Sequence, residues 1–466
     1  MKISKMKKAL ALALSAALIV PCFAGCNNKE SKKNDGKITI SISNAPKEEN
    51  NPERYKQFMA QIERFEKKYP NIHVVGDEWN FDAQTFVAKA EGGTLPTAYN
   101  IPFTHTNTLI KLGYATDITK QMKEFGYYDL LSDYSMENIS KDGKIYYLPS
   151  DMYTMNLTLN MNLFREAGLV DENDAPKIPQ TYDELLETAK TIKEKTGKAG
   201  FMMPATGFGG WQFTVFAWAF GAQFMKEENG KYIATFDSPE CAEALQYVKD
   251  MKWKYNVLPE NNLINVEEQQ KLMATDQCGM CISNFNSTQN MAGNFGMKAN
   301  DIGVAQLPAG PKRRVTLVGG SYYSFAPNAT QEEIDAAFKW LTFENDILNF
   351  DDAAKKTMEE KVKIDMDLGY IIGIKGLSIW NNDSEYQKYS NELQEKLCNV
   401  TPSHIAAFNE TPEGMEFQTE DPVAATGLKQ TLASCIQEVL TNENADVAAV
   451  LKKANSDFQK NYLDYE

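Results

Sequence analysis

KITISIS at 37–43, PERYKQFMAQIERFEKKY at 52–69 and IHVV at 72–75 decide the fold. The first stretch alternates polar and apolar residues over a β-rich run, which is the pattern of a strand. In the second, Tyr55, Phe58, Met59, Ile62 and Phe65 recur at three- and four-residue spacing and make one apolar helix face. Pro70 and Asn71 stop that helix, and the third stretch is a strand again. Strand, helix, parallel strand is a βαβ unit, so the fold class expected is α/β.

The alternation continues outward from this unit. The periodicity predicts helices over 86–91, 104–111, 182–195, 239–255, 266–273 and 334–348. It predicts strands over 98–101, 155–160, 278–283, 302–307 and 322–327, with 144–149 extended. Thr181 and Glu184 have the spacing of a capping box, and Gly197 is the stop of the same helix. From 351 onward the chain reads as mostly helical. No repeat period stands out.

Upstream, Lys2, Lys5, Lys7 and Lys8 precede an apolar run from Ala9 to Val20. That run is shorter than the ~20 residues a bilayer span needs, so residues 1–25 read as an export signal. It ends in Phe23-Ala24-Gly25-Cys26, which resembles the bacterial lipobox with Phe23 in place of the usual Leu. The resemblance implies diacylglycerol on Cys26, and the alternative is a plain secretory signal. Residues 27–36, NNKESKKNDG, carry no apolar side chain and read as a flexible tether. The localisation expected is the extracytoplasmic face of a cell membrane, through a lipid anchor.

The formal charge is −15, and loss of the four signal lysines takes it to about −19. Such a surface argues against nucleic acid and against anionic lipid. Of seven cysteines, Cys241, Cys278, Cys281, Cys398 and Cys435 remain in the folded part, which excludes a dense disulfide scaffold. Cys278 and Cys281 lie on a predicted strand, where residues three apart point to opposite faces, so a redox or zinc pair is disfavoured. His73, His105 and His404 are scattered, and neither metal nor cofactor is expected. No GxSxG, HExxH, P-loop or GxGxxG signature occurs.

Several stretches in order carry a family likeness. Phe65-Glu66-Lys67-Lys68-Tyr69-Pro70-Asn71-Ile72 is followed by Gly93-Thr94-Leu95-Pro96, where Thr97 departs from the usual Asp. Asp142-Gly143-Lys144-Ile145-Tyr146-Tyr147-Leu148-Pro149 comes next, then Asn160 to Leu169 and Pro179 to Leu185. Ile302 to Pro308 and Gly319-Gly320 complete the set. Over residues 37–345 the chain resembles the extracellular solute-binding proteins of ATP-binding-cassette importers, in the group that mainly takes sugars. The last 120 residues match only loosely.

The resemblance implies a periplasmic-binding-protein-like fold: two discontinuous lobes joined by hinge strands, with a helical C-terminal extension. Lobe one is placed at 37–149 with 306–342, and lobe two at 150–305 with 343–466. It also implies a monomeric binding protein rather than an enzyme. Its ligand is a mono- or oligosaccharide in the inter-lobe cleft, and its partners are membrane permease subunits. A surface-anchored glycosidase and a ligand-sensing receptor of the same fold are the alternatives.

Sugars present hydroxyls around an apolar ring face, so flat aromatics with Asp, Asn or Glu are sought at strand ends and loops. Ligands of α/β sheets lie beyond the carboxyl ends of strands. In lobe one these positions are Asn44, Trp79, Phe103 and His105. Asp151 and Tyr153 follow the crossing strand, with hinge packing as the other reading. In lobe two, Phe208 and Trp211 sit in a loop to which the resemblance assigns stacking aromatics. Asn284 and Phe285 end a strand, Phe285 being either a ligand contact or core. Ser321 and Tyr322 follow the paired glycines, and Trp380 is a further candidate. Trp218 reads as core. Arg313 and Arg314 keep an anionic ligand open.

Overall fold

The computed structural model describes residues 36–465 apart from 51, 208 and 344–346. Cys26, the export signal and most of the tether therefore lie outside the described residues, as does Phe208.

The strands that form the main sheet are β1 (Ile38–Ile42), β2 (Ile72–Gly76), β3 (Ala98–Pro102), β4 (Leu148–Asn160), β5 (Ala199–Met202), β6 (Cys278–Asn284), β7 (Ile302–Ala305), β8 (Arg314–Phe325) and β9 (Met415–Gln418). Their order is β2-β1-β3-β8-β4-β6-β5, with β7 added to β4 and β9 to β8. β1 is parallel to both β2 and β3, as the βαβ reading requires. The helix between β1 and β2, α1 (Pro52–Lys68), buries Ile62 and Phe65. The Phe65 ring meets Trp340 edge-on at 5.2 Å and Phe343 at 5.3 Å.

Two strands are longer than the sequence pattern indicated. Residues 144–149 and 155–160 read as separate segments, yet β4 runs unbroken over 13 residues. Pro149 is tolerated because it sits at an irregularity, where the register against β8 shifts between Ser321 and Tyr322. β8 likewise begins eight residues before the expected 322, passing through Gly319 and Gly320. These glycines read as a break, but the room their missing side chains leave is filled. A Cβ on Gly319 would lie 2.7 Å from the Tyr153 ring, and one on Gly320 would lie 2.2 Å from the Asp151 carbonyl oxygen.

β4 and β8 pair antiparallel from Leu148 to Thr154 and are the two strands that cross between lobes. One hydrophobic cluster holds Ile40, Tyr99, Ile101, Tyr147 and Phe325. The other holds Met155, Leu157, Leu159, Phe216 and Trp218. A fully buried Leu, Ile or Phe contributes about 1.5–3 kcal/mol, whereas an exposed ion pair such as Lys271–Glu267 contributes about 0–1 kcal/mol, so the two cores dominate stability. Leu307, Val315 and Leu317 belong to the second cluster although 306–342 was placed in lobe one. Trp380 and Tyr386 pack on the first although 343–466 was placed in lobe two. The strand β8 has not yet crossed at Leu317, which is why its two halves serve different cores.

The helices that matter for the site are α2 (Tyr182–Thr196), α3 (Gly209–Ala219), α4 (Pro239–Trp253), α5 (Phe285–Gly293), α6 (Gln331–Leu341) and, in the C-terminal part, α7 (Asp352–Asp367), α8 (Glu385–Lys396), α9 (Ala425–Thr441) and α10 (Val447–Asn461). Thr181 caps α2 by accepting the Glu184 N–H, but the Glu184 carboxylate accepts from Gln180 N–H rather than closing a reciprocal box. α9 lies hard against α3: a Cβ on Gly210 would come within 2.0 Å of the Lys429 carbonyl oxygen. Cys241, Cys278, Cys281, Cys398 and Cys435 are all free thiols, and burial pushes Cys278 up to about 12. Among the described residues no helix is long and apolar enough to cross a membrane.

Candidate functional site

The crossing of β4 and β8 gathers residues from both lobes. Phe103, just past the end of β3, stacks on Tyr322 of β8 at 4.0 Å and 12°. Tyr322 also stacks with Tyr147 at 5.6 Å and is itself buried, so the half-buried Phe103 is the ring that faces outward. One residue earlier on β8, the Ser321 hydroxyl donates to the Asp151 carboxylate of β4. Burial holds the Asp151 carboxyl above its ordinary range, against the opposing pull of Ser321. Tyr153 lies across Gly319, meets Trp211 edge-on at 6.4 Å and reaches the Asn284 side chain with its hydroxyl. Asn284 in turn accepts the Ser287 N–H and caps α5. Burial, followed by the charge of Glu420, pushes the Tyr153 phenol up.

A cavity of ≈ 370 Å³ opens beside Phe103 and Tyr322. Its other walls come from Tyr134 and Glu137 in the first lobe and from Phe417, Glu420 and Asp421 at the end of β9. Glu420 and Lys429 form an ion pair at 2.7 Å, with side chains only 13% and 16% exposed. Burial raises the Glu420 carboxyl in spite of Lys429. Asp421 is raised to about 7, first by burial and then by Glu420 beside it, and its enclosed Oδ2 meets no donor. His105 is pushed down to about 4 by burial and then by the charge of Lys429, which places these two side chains near each other.

Phe103, Asp151, Tyr153, Trp211, Asn284, Ser321 and Tyr322 are thus brought together, with His105 at the side. Asn44 and Trp79 form a separate group: the Asn44 N–H donates to the Trp79 carbonyl at 3.1 Å, and the Trp79 ring lies 5.9 Å from Tyr99 and 6.3 Å from Phe81. Phe81, at 4.7 Å from His105, links that group to the site. Phe285 packs against a third cluster around Met202 and Ile302. Trp380 lies 6.2 Å from both Tyr127 and Tyr386 in the first core. Arg313 is tied to Glu416 and Gln418, and Arg314 to the Gln180 carbonyl at 2.8 Å, so neither arginine lines the cavity.

Sequence reasoning missed Phe417, Glu420, Asp421 and Lys429. Their signal was present: Glu420 and Asp421 stand together before Pro422 and an apolar helix, at a strand's carboxyl end. It went unread because β9 was not recognised as a strand. No group of three or more His, Cys, Asp or Glu able to hold a metal occurs among the described residues.

The profile of the bacterial extracellular solute-binding protein family matches residues 49–343. The chain belongs to this family. Among curated relatives, it is 23% identical over 269 residues to the diacetylchitobiose-binding protein of Streptomyces coelicolor, covering 56% of this chain and 59% of the relative. It is 27% identical over 192 residues to the melibiose/raffinose/stachyose-binding protein of Bacillus subtilis, covering 41% of each. The chain therefore matches less than two thirds of either relative's length. A maltose-bound protein of T. maritima superposes with a TM-score of 0.64 over 91% of this chain and 99% of that one, at 18% identity. UgpB of Mycobacterium tuberculosis, in complex with glycerophosphocholine, superposes with a TM-score of 0.66 over 91% and 98%, at 17% identity. These superpositions establish the two-lobed fold, with the helical C-terminal region packed onto it. Members of the family are binding proteins, and the family is extracytoplasmic.

Proposed function

We propose that the protein captures a mono- or oligosaccharide in the cavity between its lobes and hands it to the permease of an ATP-binding-cassette importer, without chemistry of its own. The observation that carries this reading is the cavity beside Phe103, where an aromatic face meets Glu137, Glu420 and Asp421. Such a wall suits a ring with an apolar face and a rim of hydroxyl donors. The sugars named for the two curated relatives support the same class. Lobe closure about β4 and β8 would bury the ligand. In this reading lobe one is 37–149 with 306–342 and lobe two is 150–305 with 343–466. Core membership supports moving 306–317 to lobe two and the stretch around Trp380 to lobe one.

Titration calorimetry against a panel of neutral and charged oligosaccharides tests the proposal. Saturable binding of at least one sugar, recovered chemically unchanged, is the expected result. Phe103→Ala should weaken that binding about tenfold, the equivalent of ~1.4 kcal/mol. Binding of peptides alone, or hydrolysis of the sugar, would overturn it.

We further propose that lipid on Cys26 anchors the protein, with residues 27–36 as the spacer between membrane and lobes. Several buried acyl chains, at roughly 0.8 kcal/mol per methylene, make a durable anchor. Radiolabelled palmitate is expected on the wild-type chain and absent from Cys26→Ser. An unlabelled wild type, beside a control lipoprotein that labels, refutes the anchor.

A further inference from the structure

We infer that the cavity selects by charge: among sugars it prefers one that bears a protonated amine over its neutral counterpart, and it rejects uronates and phosphate esters. This rests on the carbohydrate reading above and narrows it. Among the described residues, three carboxylates, Glu137, Glu420 and Asp421, line the cavity, and no lysine or arginine does.

Lys429 is the cation at this point, and its ammonium is engaged by Glu420 at 2.7 Å. Asp421 has no such partner. Its Oδ2 is enclosed without a donor, and the neighbouring Glu420 repels its charge. An enclosed acceptor with no donor carries an unrecovered desolvation cost, and a charged donor offsets it better than a neutral hydroxyl does. His105 cannot supply that charge, since burial and Lys429 keep its ring neutral near pH 7. Arg314, at the start of β8, and Arg313 before it are committed to Gln180 and to Glu416 and Gln418 respectively. The overall charge of −15 steers cations toward the protein at low salt.

The experiment compares glucosamine, glucose, N-acetylglucosamine and glucuronate, with the matching disaccharides, by calorimetry on the full chain at pH 7.5. The amine is expected to bind about tenfold more tightly than the neutral sugar at low salt, with the ratio shrinking as salt rises, and the uronate is expected not to bind. Asp421→Asn keeps the side-chain shape and should erase most of the amine preference, read as the ratio of amine to neutral-sugar affinity in the same variant. Glu137→Gln, at an exposed position, is the second variant and should reduce the preference less. Neutral sugars binding as tightly as amines, or a uronate binding at all, would overturn the charge selection while leaving the carbohydrate reading intact. A panel in which no sugar binds removes the carbohydrate reading itself.

Discussion

Lys429→Met is expected to lower the unfolding free energy by about 3–5 kcal/mol at pH 8. Glu420 and Lys429 are paired at 2.7 Å in a wall where both side chains are mostly buried. Removing the lysine leaves a carboxylate without its counter-charge in a place that already resists ionisation. The sign of the pH dependence follows. Glu420 has a raised pKa in the folded protein, so its ionisation works against folding as pH rises above the unfolded value of roughly 4.3. The deficit of the variant should therefore be largest at pH 8 and shrink toward pH 4.5, as the folded carboxyl, with its raised pKa, takes up its proton. Guanidinium unfolding at the two pH values measures this. Adding Glu420→Gln to Lys429→Met should recover most of the loss at pH 8. A small, pH-independent effect of the single variant would mean that water already solvates Glu420.

The second large effect is expected at Gly210. A methyl group there would sit 2.0 Å from the Lys429 carbonyl oxygen and 2.8 Å from the Ala433 nitrogen. Both are backbone atoms of α9, so no side chain can rotate away and the helix itself must move. Overpacking of this kind costs about 1–3 kcal/mol, occasionally more. Because α9 carries Lys429, its displacement should also disturb Glu420 and weaken ligand binding. Gly210→Ala is thus expected to lower the thermal midpoint and the sugar affinity together. Gly376→Ala is the control, since a Cβ there meets nothing within 4 Å. An unchanged midpoint for Gly210→Ala would show that α3 and α9 are not held at this distance.

Much of lobe one was legible because its signals are local. The helix face of Tyr55, Phe58, Ile62 and Phe65 and the flanking strands follow from periodicity, and α1 with β1 and β2 is where they predict. The site was legible in part for the same reason. Phe103 and Asn284 stand at or beside strand ends, Asp151 and Ser321 lie within β4 and β8, and the structure brings the four together. Tyr322 was read as a candidate after the paired glycines; it borders the cavity beneath Phe103, a stacking order that no sequence spacing encodes. Trp380 was read as a further cleft candidate, and its ring packs on Tyr127. The acidic wall was not legible. Glu420, Asp421 and Lys429 look like ordinary surface charges in the chain, and only tertiary contacts remove them from water.

The sequence by itself determined the α/β class, the order of most elements and the family, because hydrophobic period and short ordered motifs act over neighbouring residues. It also placed the glycines that let β8 pass beside Tyr153 and Asp151, although it could not say that they lie inside a continuous strand. The tertiary structure decided the rest. Which half of β4 and of β8 serves which core depends on pairings more than a hundred residues apart, such as Ser321 with Asp151. The charge of the cavity depends on which carboxylates are enclosed and which find a partner. Burial and pairing are properties of the packed chain, and they turn Glu420 and Asp421 from solvated acids into the groups that define the site.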